Sequence, residues 1–208
     1  MLAFDPERES TKDIYTLMTG VIVPRPIAFV STVSGRGVRN LAPFSFFNAV
    51  CAAPPVVMFA AAVREADPPR GLGTHKDTLL NVIETQEFVV NVVTEEILER
   101  MNRTAAQVAP EVDEFALAGL TPVAGERVRA PRVAESPVQM ECRLRQVVEI
   151  SAAVHGSTLV LGDVLRFHIR EDLVETFRVN SERLAAVGRM AGAGYMRTHD
   201  CFTLERPK

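Results

Sequence analysis

The sequence predicts a mainly β protein, a β-barrel with peripheral helices, in which residues 1–208 form a single domain. Its first third is a series of short apolar, β-branched runs separated by turn residues. The second half adds two strand-like stretches, 138–150 and 157–172, and few helical segments. Alternating strand–helix–strand units are missing, which argues against a doubly wound parallel sheet.

The elements follow in chain order. GVIVPRPIAFVSTVS (20–34) carries two β-branched stretches divided by Pro24-Arg25-Pro26, and GRGVRN (35–40) is a turn with two glycines. APFSFFNAV and PPVVMFAAAV read as the next strands, apolar enough for burial on both faces or at an interface. After the polar loop 64–77, TLLNVIETQ is a short helix with Thr74 or Asp77 available as its N-cap. EFVVNVV (87–93) is a strand, and TEEILERMNRTAAQV is a helix opened by Thr94. Residues 109–137 carry four prolines and read as loop. VQMECRLRQVVEI alternates as a half-exposed strand, and STLVLGDVLRFHIRED is a strand bent at Gly162. LVETF adds a further short strand, and the tail opens with a short helix before a glycine-broken segment.

A net charge of -3 gives no general attraction to nucleic acid or to anionic membranes, so an anionic ligand must be held by a local arrangement. Three widely spaced cysteines without a C-x-x-C fit reduced thiols in the cytoplasm, with Cys51 a buried apolar residue. The N-terminus lacks the basic and then apolar start of a signal peptide. Residues 41–63 run 23 positions without a charge, but Pro54-Pro55 would break a spanning helix, so two buried strands joined by a turn are expected.

No phosphate loop, H-E-x-x-H or G-x-S-x-G occurs, and the four histidines have no metal-ligand spacing. His168, on a strand, is expected to pack without chemistry. Ser31, Thr32 and Ser34 beside Gly35 and Gly37 read first as turn formers. Ser45 and Asn48 interrupt an apolar run, and once buried they need a partner, either backbone or ligand. THKDT (74–78) sets Lys76, Asp77 and Thr78 at a helix start. Capping alone would explain Thr74 or Asp77, whereas the added lysine favours an anion site.

With these residues on the page, the chain resembles the flavin reductase-like FMN-binding family, in particular its flavoredoxin-like branch. The resemblance is carried by residues 25–57 (RPIAFVSTVSGRGVRNLAPFSFFNAVCAAPPVV), KDTLLNVIETQEFVVNVV, LVLGDVLRFHI and VGRMAGAGYMRT. It implies an FMN-binding split β-barrel of Greek-key type that forms a homodimer with FMN in grooves at the subunit interface. It further implies that Ser31 and Thr32 approach the flavin phosphate and ribityl chain. Asn40, Ala42, Pro43 and Ser45 would line the isoalloxazine, and Lys76, Asp77 and Thr78 the phosphate. Arg25 would lie near the cofactor. Tyr195 matches the tyrosine of the family's R-L-G-G-x-x-Y pattern, which here reads RMAGAGY with Ala191 in place of a glycine.

The leading functional expectation is an NAD(P)H-dependent flavin reductase that passes a hydride from nicotinamide to FMN and serves a partner oxygenase or redox protein. Hydride acceptance belongs to the cofactor, so no catalytic triad or metal is required. The alternatives are a flavoredoxin-like FMN electron carrier reduced by a partner protein, and a non-catalytic dimeric ligand-binding module.

Overall fold

The structure, a computed structural model, describes residues 1–207. It begins with α1 (Thr11–Val21), capped by Ser10, whose hydroxyl accepts from the Asp13 N–H at 3.1 Å. The first half of the 20–34 stretch therefore ends a helix and is not a strand. Arg25 explains part of this, since its guanidinium donates to the carbonyls of Thr19 and Ile22, both at 2.7 Å, at the helix C-terminus.

Four strands follow: β1 (Ala28–Val33), β2 (Arg39–Phe44), β3 (Phe47–Ala52) and β4 (Pro55–Ala62). Next come α2 (Asp77–Thr85), β5 (Glu87–Val92), α3 (Leu98–Arg103) and α4 (Glu114–Ala118). The short strands β6 (Pro122–Val123) and β7 (Arg132–Val133) lead into the long hairpin of β8 (Val138–Glu149) and β9 (Ser157–Ile169). A small hairpin, β10 (Val174–Glu175) with β11 (Arg178–Val179), precedes α5 (Ser181–Leu184). The last pair is β12 (Val187–Arg189) and β13 (Tyr195–Arg197).

Seven strands make one antiparallel sheet in the order β2-β1-β5-β8-β9-β4-β3. The sheet curls on itself. Phe44 of β2 and Phe59 of β4, far apart in strand order, have ring centroids 4.8 Å apart, and Phe88 meets Phe59 edge-on at 5.5 Å. These rings, with Ala28, Val30 and Val160, fill the inside of the curl. On the outer face Phe29 and Leu41 pack against Ile97, Met101 and Phe115 from the helical segments. Strand β1 is thus buried on both faces, as its near-continuous apolarity predicts.

Four expectations differ from the structure. The helix over 94–108 is shorter: a 3-10 turn at Glu95–Ile97 leads into α3, which stops at Arg103, and Thr94 makes no side-chain cap. The 109–137 loop contains α4, opened by Asp113, whose carboxylate accepts from the N–H groups of Phe115 and Ala116. Residues 41–63 form not two buried strands but the end of β2, all of β3 and β4, and β3 is largely exposed. Cys51 is exposed with it, contrary to its expected burial.

The irregularity predicted at Gly162 falls on the partner strand, where Arg145 is bulged between Leu144↔Gly162 and Gln146↔Leu161. Gly162 is required for a different reason: a Cβ there would lie 2.3 Å from Cζ of the fully buried Phe88. Gly162→Ala is therefore expected to destabilise the fold by about 1–3 kcal/mol, read as a lower urea midpoint at unchanged slope.

His168 is a packing residue. Its Nε2 lies 2.5 Å from Oε1 of Glu141, which also accepts from the N–H groups of Glu126, Arg127 and Val128. Together they fasten the loop after β6 to the long hairpin. No helix among the described residues is long and apolar enough to cross a membrane.

Candidate functional site

The site begins where β4 ends. Arg64 follows the uncharged stretch directly, and its backbone N–H donates to Thr74 O at 2.9 Å. Its side chain is only 8% exposed. Nε donates to Gly73 O at 2.8 Å, while Nη2 has no hydrogen-bond partner among the described residues and lies 3.6 Å from Asp77 Oδ2. A buried guanidinium N–H that makes no hydrogen bond is costly, and the Asp77 contact is too long to be one, which marks a place where an anion could accept from it.

Beside it α2 begins at Asp77 with Lys76 as its N-cap residue, and no side chain caps the helix. The expected cap by Thr74 or Asp77 is absent. The N–H groups of Asp77 and Thr78 have no intrahelical acceptor and stay available at the positive end of the helix dipole, whereas that of Leu79 already donates to Lys76 O at 3.0 Å. Burial, with Arg64 alongside, holds the Lys76 ammonium below its ordinary pKa. Arg64, Lys76, Asp77 and Thr78 line one small cavity, whose other wall carries Asn40, Ala42 and Pro43.

The floor is Glu114. Arg39 of β2 grips Asp113 with Nε at 2.8 Å and Nη2 at 2.5 Å, which anchors the start of α4 and puts Glu114 beneath β2. Glu114 Oε2 accepts from Asn40 Nδ2 at 2.5 Å and from the Leu41 N–H at 2.6 Å. Burial, reinforced by Asp77, pushes its carboxyl up to about 7 despite the Leu41 hydrogen bond and the nearby Lys76 and Arg64. Asn40 Oδ1 in turn accepts from the hydroxyls of Thr78 at 2.7 Å and Thr32 at 3.2 Å, and Asn81 donates to Thr32. This chain fixes the head of α2 against β1 and β2.

Pro43 and Ala105 also line a second cavity, of about 190 Å³, bordered by Tyr15, Ser45, Arg189 and Tyr195. The two cavities adjoin at Pro43 and Ala105, and together they make the candidate groove from Arg64 to Tyr195. Tyr195 donates to Asn102 Oδ1 at 3.2 Å, and Arg189 stands 4.5 Å from its ring centroid. Gly192 takes the left-handed conformation at φ +56°, and the turn closes through Met190 N–H to Gly194 O, so that Tyr195 pairs with Arg189.

The groove thus gathers Asn40, Ala42, Pro43, Ser45, Lys76, Asp77, Thr78 and Tyr195 from three separate parts of the chain. Three sequence candidates lie elsewhere. Ser31 is fully buried, donating to Pro131 O at 2.5 Å and accepting from Asn91, because β1 is covered on both faces. Thr32 is buried in the Asn40 network and reaches the groove only through it. Arg25 directs its Nη atoms to the carbonyls of Thr19, Ile22 and Met190, with only Nε near Ser45 Oγ at 3.5 Å. It ties α1 to the C-terminal hairpin and so positions the groove wall. Asn48, expected to be buried, is exposed on β3.

Arg64, Glu114, Asn102 and Arg189 also border the groove or hold its residues, and none of them is singled out by the sequence pattern. Arg64 had a signal, as the charge that ends the uncharged run 41–63. Glu114 had none, since it reaches the site only through the Arg39–Asp113 anchor. Among the described residues no cluster of histidine, cysteine or acidic side chains could hold a metal ion.

A model of the flavin reductase like domain matches residues 19–187. The chain belongs to the flavin reductase-like family. Among solved structures, this flavin reductase-like protein is similar to nitrilotriacetate monooxygenase component B from Bacillus cereus, with a TM-score of 0.90 and 38% identity over 98% of both chains. It also resembles the 2-nitrobenzoate 2-nitroreductase of Pseudomonas fluorescens, with a TM-score of 0.86 and 30% identity over 99% of this chain and 96% of that one. A split barrel domain protein from Shewanella frigidimarina, 21% identical, covers 100% of both chains with a TM-score of 0.82 and shares the fold. The curled antiparallel sheet is that split barrel.

Proposed function

We propose that this flavin reductase-like protein binds FMN in the groove and, as a cytoplasmic homodimer, passes a hydride from NAD(P)H to it. The observation that carries this reading is the buried Arg64 Nη2, which makes no hydrogen bond and only a 3.6 Å ion pair with Asp77 Oδ2, set beside Lys76 and the uncapped start of α2. The donor set suits a phosphate monoester, which brings nearly two negative charges and several acceptor oxygens. The residues present fit the cofactor along its length: cations and N–H groups for the phosphate, Ala42 and Pro43 for the middle, Ser45 and Tyr195 at the ring end.

FMN bound there supplies the hydride acceptor, so the chain needs no nucleophile or base of its own. Arg64 and Lys76 hold the phosphate. Asn40, kept in one orientation by Thr78, Thr32 and Glu114, keeps the strand carrying Ala42 and Pro43 at a fixed distance from α2. Ser45 and the Tyr195–Asn102 pair offer polar groups at the far end. The likeness to a monooxygenase component supports a partner oxygenase as the consumer of reduced flavin. Anaerobic addition of NADH or NADPH to the FMN-loaded protein is expected to bleach the flavin absorbance within seconds. FMN that binds but is reduced by neither nucleotide would leave the electron-carrier reading instead.

Dimerisation rests on a separate observation. Val50 on β3 is 52% exposed, and Met18, Val21 and Ile22 at the end of α1 are exposed as well. Tyr15 of the same helix lines the groove and packs 6.5 Å from Phe46, so a second copy on this surface would also wall the flavin site. Sedimentation is expected to give a dimer, and Val50→Asp to give monomers with weakened FMN binding. A wild-type monomer would overturn this.

A further inference from the structure

The cations at the two ends of the groove are compensated differently. At the phosphate end Arg64 has Asp77 3.6 Å away, and Glu114 closes the floor. At the ring end Arg25 and Arg189 meet, joined by Arg25 N–H to Arg189 O at 3.0 Å and Arg189 N–H to Arg25 O at 2.8 Å. Arg25 is only 5% exposed. Its guanidinium donates to the carbonyls of Thr19, Ile22 and Met190 and reaches Ser45 Oγ through Nε, and none of these acceptors is charged. Arg189 donates to Gly192 O and lies over the Tyr195 ring. No ion pair among the described residues involves either arginine. No aspartate or glutamate lines the ring-end cavity.

We propose that Arg25 and Arg189 together set a positive field at the ring end, which holds reduced flavin more tightly than oxidised flavin and so raises its reduction potential. The inference rests on the flavin reading of the groove and deepens it. A hydride carries two electrons and one proton. Its transfer leaves the oxidised nicotinamide with one more positive charge and the flavin ring with one more negative charge, until solvent supplies a second proton. Arg64 and Lys76 face a phosphate whose charge is the same before and after, so they do not distinguish the two states. Arg25 and Arg189 do. A buried cation without a carboxylate is costly, and a negative charge arriving nearby offsets part of that cost. The attraction acts over several ångströms where water is excluded, so Arg25 works from behind Ser45 without touching the cofactor. The oxidised ring is uncharged and gains nothing comparable. By linkage, the ratio of affinities for the two redox states is the shift in potential. A tenfold ratio corresponds to about 30 mV for a two-electron couple.

The test measures the midpoint potential of FMN on the full chain, by anaerobic reduction against a reference dye, and compares it with free FMN at the same pH. Wild type, Arg189→Gln and Arg189→Lys are compared, with thermal melts to check the fold. Wild type is expected to hold reduced FMN at least tenfold more tightly than oxidised FMN, which places its potential about 30 mV or more above free FMN. Arg189→Gln is expected to lose most of that preference. Arg189→Lys, which keeps the charge but not the planar fork over Tyr195, is expected to retain most of it. Arg25→Gln should shift the potential in the same direction, and if it fails to fold, the wild-type value and the Arg189 pair still decide. A wild-type potential at or below that of free FMN, or equal shifts in the two Arg189 variants, would overturn the inference and leave the flavin reading standing. An unchanged potential in Arg189→Gln with a raised KM for NAD(P)H would assign that arginine to the nucleotide's phosphates and would also overturn it. If wild type binds no FMN, the flavin reading itself fails.

Discussion

Arg64→Ala is expected to cost the largest share of FMN affinity of any single substitution in this chain. Its Nη2 is buried, lacks a hydrogen-bond partner among the described residues, and shares a cavity with Lys76 and the start of α2. A hydrogen bond to a charged group contributes roughly 1.5–3 kcal/mol, so the loss should be about 10- to 100-fold. Riboflavin, which lacks the phosphate, should bind wild type and variant alike, and that contrast isolates the phosphate contact from any general damage. Because Arg64 Nε also holds Gly73 O, Arg64→Lys and Lys76→Ala serve as companion variants. Both keep that region closer to its native form and should show smaller losses of the same kind. Equal losses for FMN and riboflavin would remove Arg64 from the phosphate site.

Glu114 is expected to make the protein less stable as the pH rises from about 4.5 to about 7. Its carboxyl titrates near 4.5 when unfolded and near 7 when folded, chiefly because it is buried. In that interval the folded state holds more protons than the unfolded one, so stability falls with rising pH and then levels off above about 7. The full swing corresponds to roughly 3 kcal/mol. Glu114→Gln retains an acceptor for Asn40 and the Leu41 N–H without the charge. Melting curves between pH 4.5 and 8 should show the variant gaining on wild type as pH rises, most of all at pH 8. FMN affinity should move in the same sense. The ionised carboxylate opposes Arg64 and Lys76, so the variant should bind FMN more tightly than wild type at pH 8 and nearly equally at pH 5.5. Using the ratio of the two proteins cancels the phosphate's own titration. A ratio that does not change with pH would show that Glu114 stays in one protonation state.

The β character of the chain could be read from local pattern because strands β1, β5, β8 and β9 carry it in their own residues. The residues of β8 alternate between apolar and polar from Val138 to Arg145, although Gln139 and Glu141 are buried too, and β1 is buried on both sides. The end of α1 could not be read so, since Gly20–Val23 has the composition of a strand. It ends a helix because Arg25, a few residues on, binds the carbonyls there. The same limit applied to β3, whose apolar run reads as buried and is largely exposed in the single chain.

For the site, the sequence alone determined one half: a helix start bearing Lys76, Asp77 and Thr78, and a β2 segment bearing Asn40, Ala42 and Pro43. Both are continuous stretches in which adjacency along the chain is adjacency in space. The tertiary structure alone decided the other half. Arg64 and Glu114 come from opposite sides of α2 in sequence, and only the curl of the sheet and the Arg39–Asp113 anchor bring them to one cavity. It also withdrew Ser31 from the groove, because a strand covered on both faces has no side left to offer a ligand.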